Sequence, residues 1–205
     1  MTSASVLQPM EERGWRQGFA NLLRKENGEW WQTRRWWLQI LLWLIIINGI
    51  LAVGVWVVPI MEPEEAVGAA ENLGIFIQLM SLFPMFAVIV ITQGAVIAEK
   101  QSGTAAWIMS APVSRSAFIL AKLIANAIGF FVTIILVQGL VAYVQLSLSD
   151  GSPLPFAPYL VMLALLSLYL FFYLALTLML GTYFGTRGAV LGIAIAVAIG
   201  SMLGM

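Results

Sequence analysis

Residues 36–58 read WWLQILLWLIIINGILAVGVWVV, an uncharged stretch of 23 positions of which fourteen are Leu, Ile or Val. An α-helix rises about 1.5 Å per residue, so about 20 apolar residues cross the roughly 30 Å of bilayer hydrocarbon. On the insertion scale each aliphatic residue contributes about −0.3 to −0.6 kcal/mol, which gives roughly −4 to −8 kcal/mol for the stretch. Gln39 and Asn48 cannot cancel that. A cleavable signal has a core of only about 7 to 15 residues behind a short leader. This core is too long and starts too late, so it reads as a transmembrane helix.

Three further stretches meet the same criterion, Leu73 to Ala98, Ala117 to Leu148 and Tyr159 to Phe184, and a fifth runs from Gly188 to Met205. The third is long enough to tilt or protrude. Of the 205 residues 61% are hydrophobic and 10% charged, with mean hydropathy +0.94. Soluble domains carry roughly 25% charged residues, so lipid must cover most of this surface. The fold class is an all-α membrane protein. An N-terminal segment, 1–35, precedes a bundle of about five transmembrane helices over 36–205.

Composition excludes several kinds of chemistry. With no cysteine there are no disulfides, thiolate metal sites or cysteine nucleophiles, and with no histidine there is no imidazole ligand, general base or proton relay. No Asp or Glu falls at mid-membrane depth, and no GxxxxGK[ST] phosphate loop occurs anywhere. The reading therefore assigns no catalytic residue, metal or cofactor. Gln78, Gln93, Asn126, Thr133, Gln138, Ser167, Tyr169, Tyr173 and Thr177 are polar positions within the spans, either lining a path or bonding helix to helix.

Ahead of the first span, Trp15, Phe19, Leu22 and Leu23 recur at i, i+4, i+7 and i+8, the spacing of an amphipathic helix that Asn27 and Gly28 are expected to interrupt. The following EWWQTRRWW mixes indoles and arginines as suits a headgroup layer. Between the second and third spans lies EKQSGTAAWIMSAPVSRSAFILAK, residues 99–122. Gly103 permits a tight turn, Thr104 can cap, Ala105 to Ser110 can form a short helix, and Pro112 ends it. Ser114 and Arg115 restart a helix in which Arg115 and Lys122 are expected near headgroups, with Glu99 at a span end within reach of water.

This loop resembles that of the permease subunits of ABC-2-type transporters. The match comprises Glu99, Gly103, Thr104, Pro112, Val113, Ser114, Arg115 and Lys122, with RKE at 24–26 and RR at 34–35 similar to that family's elbow helix. The resemblance implies that 99–116 is a coupling loop. Its short helix would meet a separate cytoplasmic ATP-binding subunit through Trp107 and Met109, and two permeases with two ATPases would make an exporter. The family usually has six spans, whereas five are predicted here, so a sixth would come from further sequence or another chain. A non-transporting scaffold subunit of a larger membrane complex is the alternative function.

Gly188, Gly192, Ala196, Gly200 and Gly204 recur every four residues along the fifth span. Such a stripe serves either association with a second membrane chain, which the resemblance would place near the first and fifth spans, or packing within the chain.

All ten basic residues fall before the first span, between the second and third, or between the fourth and fifth, while 59–72 and 149–158 contain none. This pattern concerns topology and points to no nucleic acid. By the positive-inside rule the N-terminus is cytoplasmic, in a multi-pass protein of the cell (inner) membrane. Reporters fused after Pro63 and Ser152 are expected to be extracytoplasmic and one fused after Ser102 cytoplasmic. A cytoplasmic signal at Ser152 would overturn the span count.

Overall fold

The computed structural model describes residues 14–110 and 112–204. Arg13, Met205 and the side chains of Trp15 and Met109 lie outside the described part. Among the described residues there is no strand. The helices are α1 (Phe19–Trp31), α2 (Arg35–Met61), α3 (Ala69–Gln101), α4 (Thr104–Ser110), α5 (Arg115–Asp150), α6 (Phe156–Tyr183) and α7 (Arg187–Leu203). Four of them, α2, α3, α5 and α6, are long and apolar enough to cross a membrane. Helix α7, with 17 residues, sits at the lower limit for a span. At 36 residues α5 extends about 50 Å, well beyond the hydrocarbon.

Helix α3 is central, in contact with α2, α5, α6 and α7. Its Phe76, Met80, Met85, Val88 and Ile89 are fully buried. Large apolar side chains such as Ile45, Leu140, Leu165 and Leu168 stay exposed, as an outer surface facing lipid requires. Lys100, Lys122 and Arg187 mark one end of the bundle, hereafter the basic end.

Both α2 and α5 contain π-helical turns, at Leu44–Asn48, Val53–Val57 and Phe131–Leu136. A π-turn adds a residue to the helical circuit and disturbs the i→i−4 ladder. Polar side chains bond beside two of these turns. Gln138 Nε2 donates to the Thr133 carbonyl (3.1 Å) within the π-turn and to the Ile40 carbonyl of α2 (3.3 Å). Asn48 Nδ2 donates to Gln138 Oε1 at 2.8 Å, and Gln145 Nε2 donates to Asn48 Oδ1 at 3.1 Å. Of the other polar positions, Asn126, Tyr169 and Tyr173 bond across helices, while Ser167 and Thr177 bond carbonyls of their own helix. Gln78 is exposed.

Helix α7 packs through Val190, Ala194 and Ala198 against α3 and α6. The small-residue row lies on another face. Gly188, Gly192, Ala196, Gly200 and Gly204 are all exposed, and a Cβ placed on Gly188, Gly192 or Gly200 meets nothing in the chain. The neighbouring row, not the stripe, therefore makes the intrachain contact.

Helix α1 lies along α5 and buries Leu22, Glu26 and Trp30, spaced four apart on one face. The expected interruption at Asn27 and Gly28 does not occur; the helix continues to Trp31. Tertiary contact outweighs the roughly 1 kcal/mol that an interior glycine costs. The Trp30 indole donates to Asn126 Oδ1 at 3.2 Å and stands edge-on to Phe130 at 5.1 Å. Gly129 makes the room, since a Cβ there would lie 2.5 Å from the indole. Gly129→Ala is expected to displace Trp30 at a cost of about 1–3 kcal/mol, the usual range for overpacking. Thermal unfolding and tryptophan emission of the purified protein check this, and an unchanged emission and Tm would contradict the fit.

Candidate functional site at the basic end

The loop from α3 to α5 begins where α3 breaks at residues 93–96 and resumes as Ile97–Gln101. Gly103 then turns the chain with φ +75°, in the left-handed region that glycine enters without steric cost. Thr104 is already helical, and its N–H lies 3.4 Å from the Ser102 hydroxyl, so Ser102 and not Thr104 supplies the capping oxygen. Helix α4 turns Ile108 inward, 8% exposed, and Trp107 outward, 76% exposed. Pro112 is exposed and Val113 half-buried. Ser114 caps α5, its hydroxyl accepting the Ala117 N–H at 2.9 Å. Arg115, the first residue of α5, is exposed.

A seven-residue helix has no stability of its own, because helix nucleation is unfavourable and two turns do not recover its cost. Three sets of contacts hold α4. At its far end the Ser114 N–H donates to the Gln17 carbonyl at 3.1 Å, and Val113 packs on Gly18. Gly18 has φ +78°, and a Cβ there would fall 2.8 Å from Val113. At its near end Lys100 Nζ donates to the carbonyls of Gly181 (2.8 Å) and Thr182 (2.6 Å). Gln101 reaches the Gly185 carbonyl at 3.2 Å. These donors close the C-terminus of α6, where carbonyls lack intrahelical partners and the helix dipole favours a cation.

The third set is a closed ring of charges. Lys25 meets Glu99 at 2.8 Å, Glu99 meets Lys122 at 3.1 Å, Lys122 meets Glu26 at 2.8 Å, and Glu26 returns to Lys25 at 3.4 Å. The side chains of Lys122, Glu26 and Glu99 are only 3%, 8% and 14% exposed. Lys122 also lies over the Phe118 ring at 5.2 Å. One expectation is thereby corrected: Lys122 does not reach the headgroups, because opposite charges lie within hydrogen-bond reach of it inside the protein. Burial pulls the pKa of Lys25 down, but the hydrogen bond to Glu99 and the charges of Glu26, Glu99 and Glu29 outweigh it, and the net shift is upward. The stability linked to that shift is present below the ordinary value of 10.5 and is lost as pH rises through the higher folded value.

Glu99, Gly103, Thr104, Trp107, Pro112, Ser114 and Arg115 thus share one loop, whereas the stripe from Gly188 to Gly204 occupies the outer face of α7. Sequence reasoning missed Lys25, Glu26 and Lys100 as the loop's fastenings. A signal was available for the ring, since Lys122 is the lone charge in the apolar run AFILAKLIANA, a context in which a charged group needs a buried partner. Among the described residues no three metal-ligating side chains come together.

The sequence profile of the ABC-2 family transporter proteins matches residues 57–205, which takes in α3 to α7 and the whole of the loop. No curated protein and no solved structure matches the chain. With its apolar helices, its strapped loop and a family match over most of its length, the chain belongs to the ABC-2 transporter family as a multi-pass membrane permease subunit.

Proposed function

We propose that this permease is the membrane-spanning half of an ATP-driven exporter and that α4 is the element through which a separate cytoplasmic ATPase acts on it. The observation that carries the reading is Trp107, a large indole 76% exposed on a helix otherwise pinned at both ends. An apolar ring held rigidly in the open is the usual anchor of a protein interface. The basic end faces the cytoplasm in this reading, which agrees with the one-sided distribution of Lys and Arg. Hydrolysis belongs to the partner, since the chain has no phosphate loop. A second permease or other membrane chain covers the exposed stripe of α7, where small residues let backbones approach closely, and the two chains form the translocation path.

Co-purification with its ATP-binding subunit tests the reading. Trp107→Ala is expected to lower ATPase recovery by about ten-fold or more, the effect of removing a central anchor of at least 1.4 kcal/mol, with membrane insertion intact. In the same preparation Gly192→Leu is expected to reduce the second membrane chain while retaining the ATPase. Recovery of partner membrane chains without any ATPase, from wild type and Trp107→Ala alike, would replace the exporter by a scaffold.

A further inference from the structure

A cavity of about 630 Å³ opens beside the charge ring, bounded by the ends of α1, α2, α3, α5 and α7. Its charged lining holds three carboxylates, Glu26, Glu29 and Glu99, and three cations, Arg35, Lys122 and Arg187. Glu26 and Glu99 are engaged by Lys122 and Lys25, and Glu29 lies 3.7 Å from Lys25. Arg35 and Arg187 also line the cavity, yet neither forms an ion pair among the described residues. Two guanidiniums, each with five N–H donors in a planar fork, are left to face the space.

Position narrows the ligand. Arg35 and Arg187 are the first residues of α2 and α7, so both stand at the membrane boundary, where Trp36 and Trp37 follow as interfacial indoles. The Arg187 guanidinium lies beside Gly94, 3.5 Å from where a Cβ would stand. The remaining wall includes Leu38 and Ile91, both exposed on the lipid-facing surface. Unpaired cations at headgroup depth, continuous with an apolar wall, fit an amphiphile with a phosphate above and a hydrocarbon chain below. We propose that this cavity binds the headgroup phosphate of an anionic membrane phospholipid, with Arg35 and Arg187 as its ligands and Leu38 and Ile91 against the first acyl methylenes. The bound lipid would tie the ends of α2, α3 and α7 together. The site is independent of whether the permease exports.

The test uses the purified full chain in a non-ionic detergent, with thermal unfolding followed as dioleoylphosphatidylglycerol, dioleoylglycerol or inorganic phosphate is added. Phosphatidylglycerol is expected to raise Tm saturably, and neither dioleoylglycerol nor inorganic phosphate at the same concentration to do so. Arg35→Gln and Arg187→Gln should each weaken the apparent affinity about ten-fold, the typical effect of losing a charge-assisted hydrogen bond. Arg24→Gln, an exposed charge that does not line the cavity, should leave it unchanged. Ile91→Trp, which fills the apolar side and keeps both arginines, should abolish the shift and decides the matter if an arginine variant does not fold. The same lipid shift in wild type, Arg35→Gln, Arg187→Gln and Ile91→Trp overturns the site. An equal shift with inorganic phosphate overturns the lipid assignment in favour of a free anion.

Discussion

Three charges largely withdrawn from water, Lys122, Glu26 and Glu99, and the exposed Lys25 beside them set the arrangement of the basic end. Lys25 and Lys122 alternate with Glu26 and Glu99 in a closed ring in which Oε1 of each carboxylate lies within 3.4 Å of both ammonium nitrogens. Each buried charge alone would carry a desolvation penalty of several kcal/mol, and removing one partner from the buried Lys122–Glu26 pair costs about 3–5 kcal/mol. The ring therefore adds little net stability while making every alternative geometry expensive. It specifies position: α1, the end of α3 and the start of α5 have one relative placement in which each of the four charges meets two of opposite sign.

Everything near α4 depends on that placement. The helix is too short to persist alone, and it is oriented by segments that the ring fixes or that lie next to it, with Lys100 one residue beyond Glu99 and fastened to α6. A displacement of α4 would be passed to α5 and α3 through their shared covalent ends and to α1 through Gln17 and the ring. Elements joined so tightly move as a body, which is how a small motion at one surface reaches a distant bundle. Deeper in the hydrocarbon the same rule takes a neutral form. The π-turns displace the backbone ladder, and Gln138 donates to the Thr133 carbonyl inside one of them while accepting from Asn48 of the other helix.

How much of this is legible in the sequence depends on the range of the interaction concerned. Spans, their order and the short helix after Gly103 follow from hydropathy and local turn chemistry, and the structure has helices at those places. The cap at Ser114 is equally local. The continuation of α1 through Gly28 is not, because it rests on Trp30 entering a gap at Gly129, about a hundred residues away. The same holds for Lys122, whose partners Glu26 and Glu99 come from two other elements; its place in an apolar run announces a buried partner without naming it. The π-turns have no signature in the apolar runs that contain them. The stripe on α7 was visible as a pattern, but only the packing shows which face the chain itself covers.

Hydrogen exchange across α1 and α4 tests most directly whether the charge ring holds this end as one body. Glu99→Gln keeps the side chain's shape and removes its charge. If the ring is the constraint, exchange rises together in Phe19–Trp31 and Thr104–Ser110 while the centres of α3 and α6 stay as protected as in the wild type. Unchanged protection of Thr104–Ser110 in the variant would contradict the account, since α4 would then owe its order to something other than the ring.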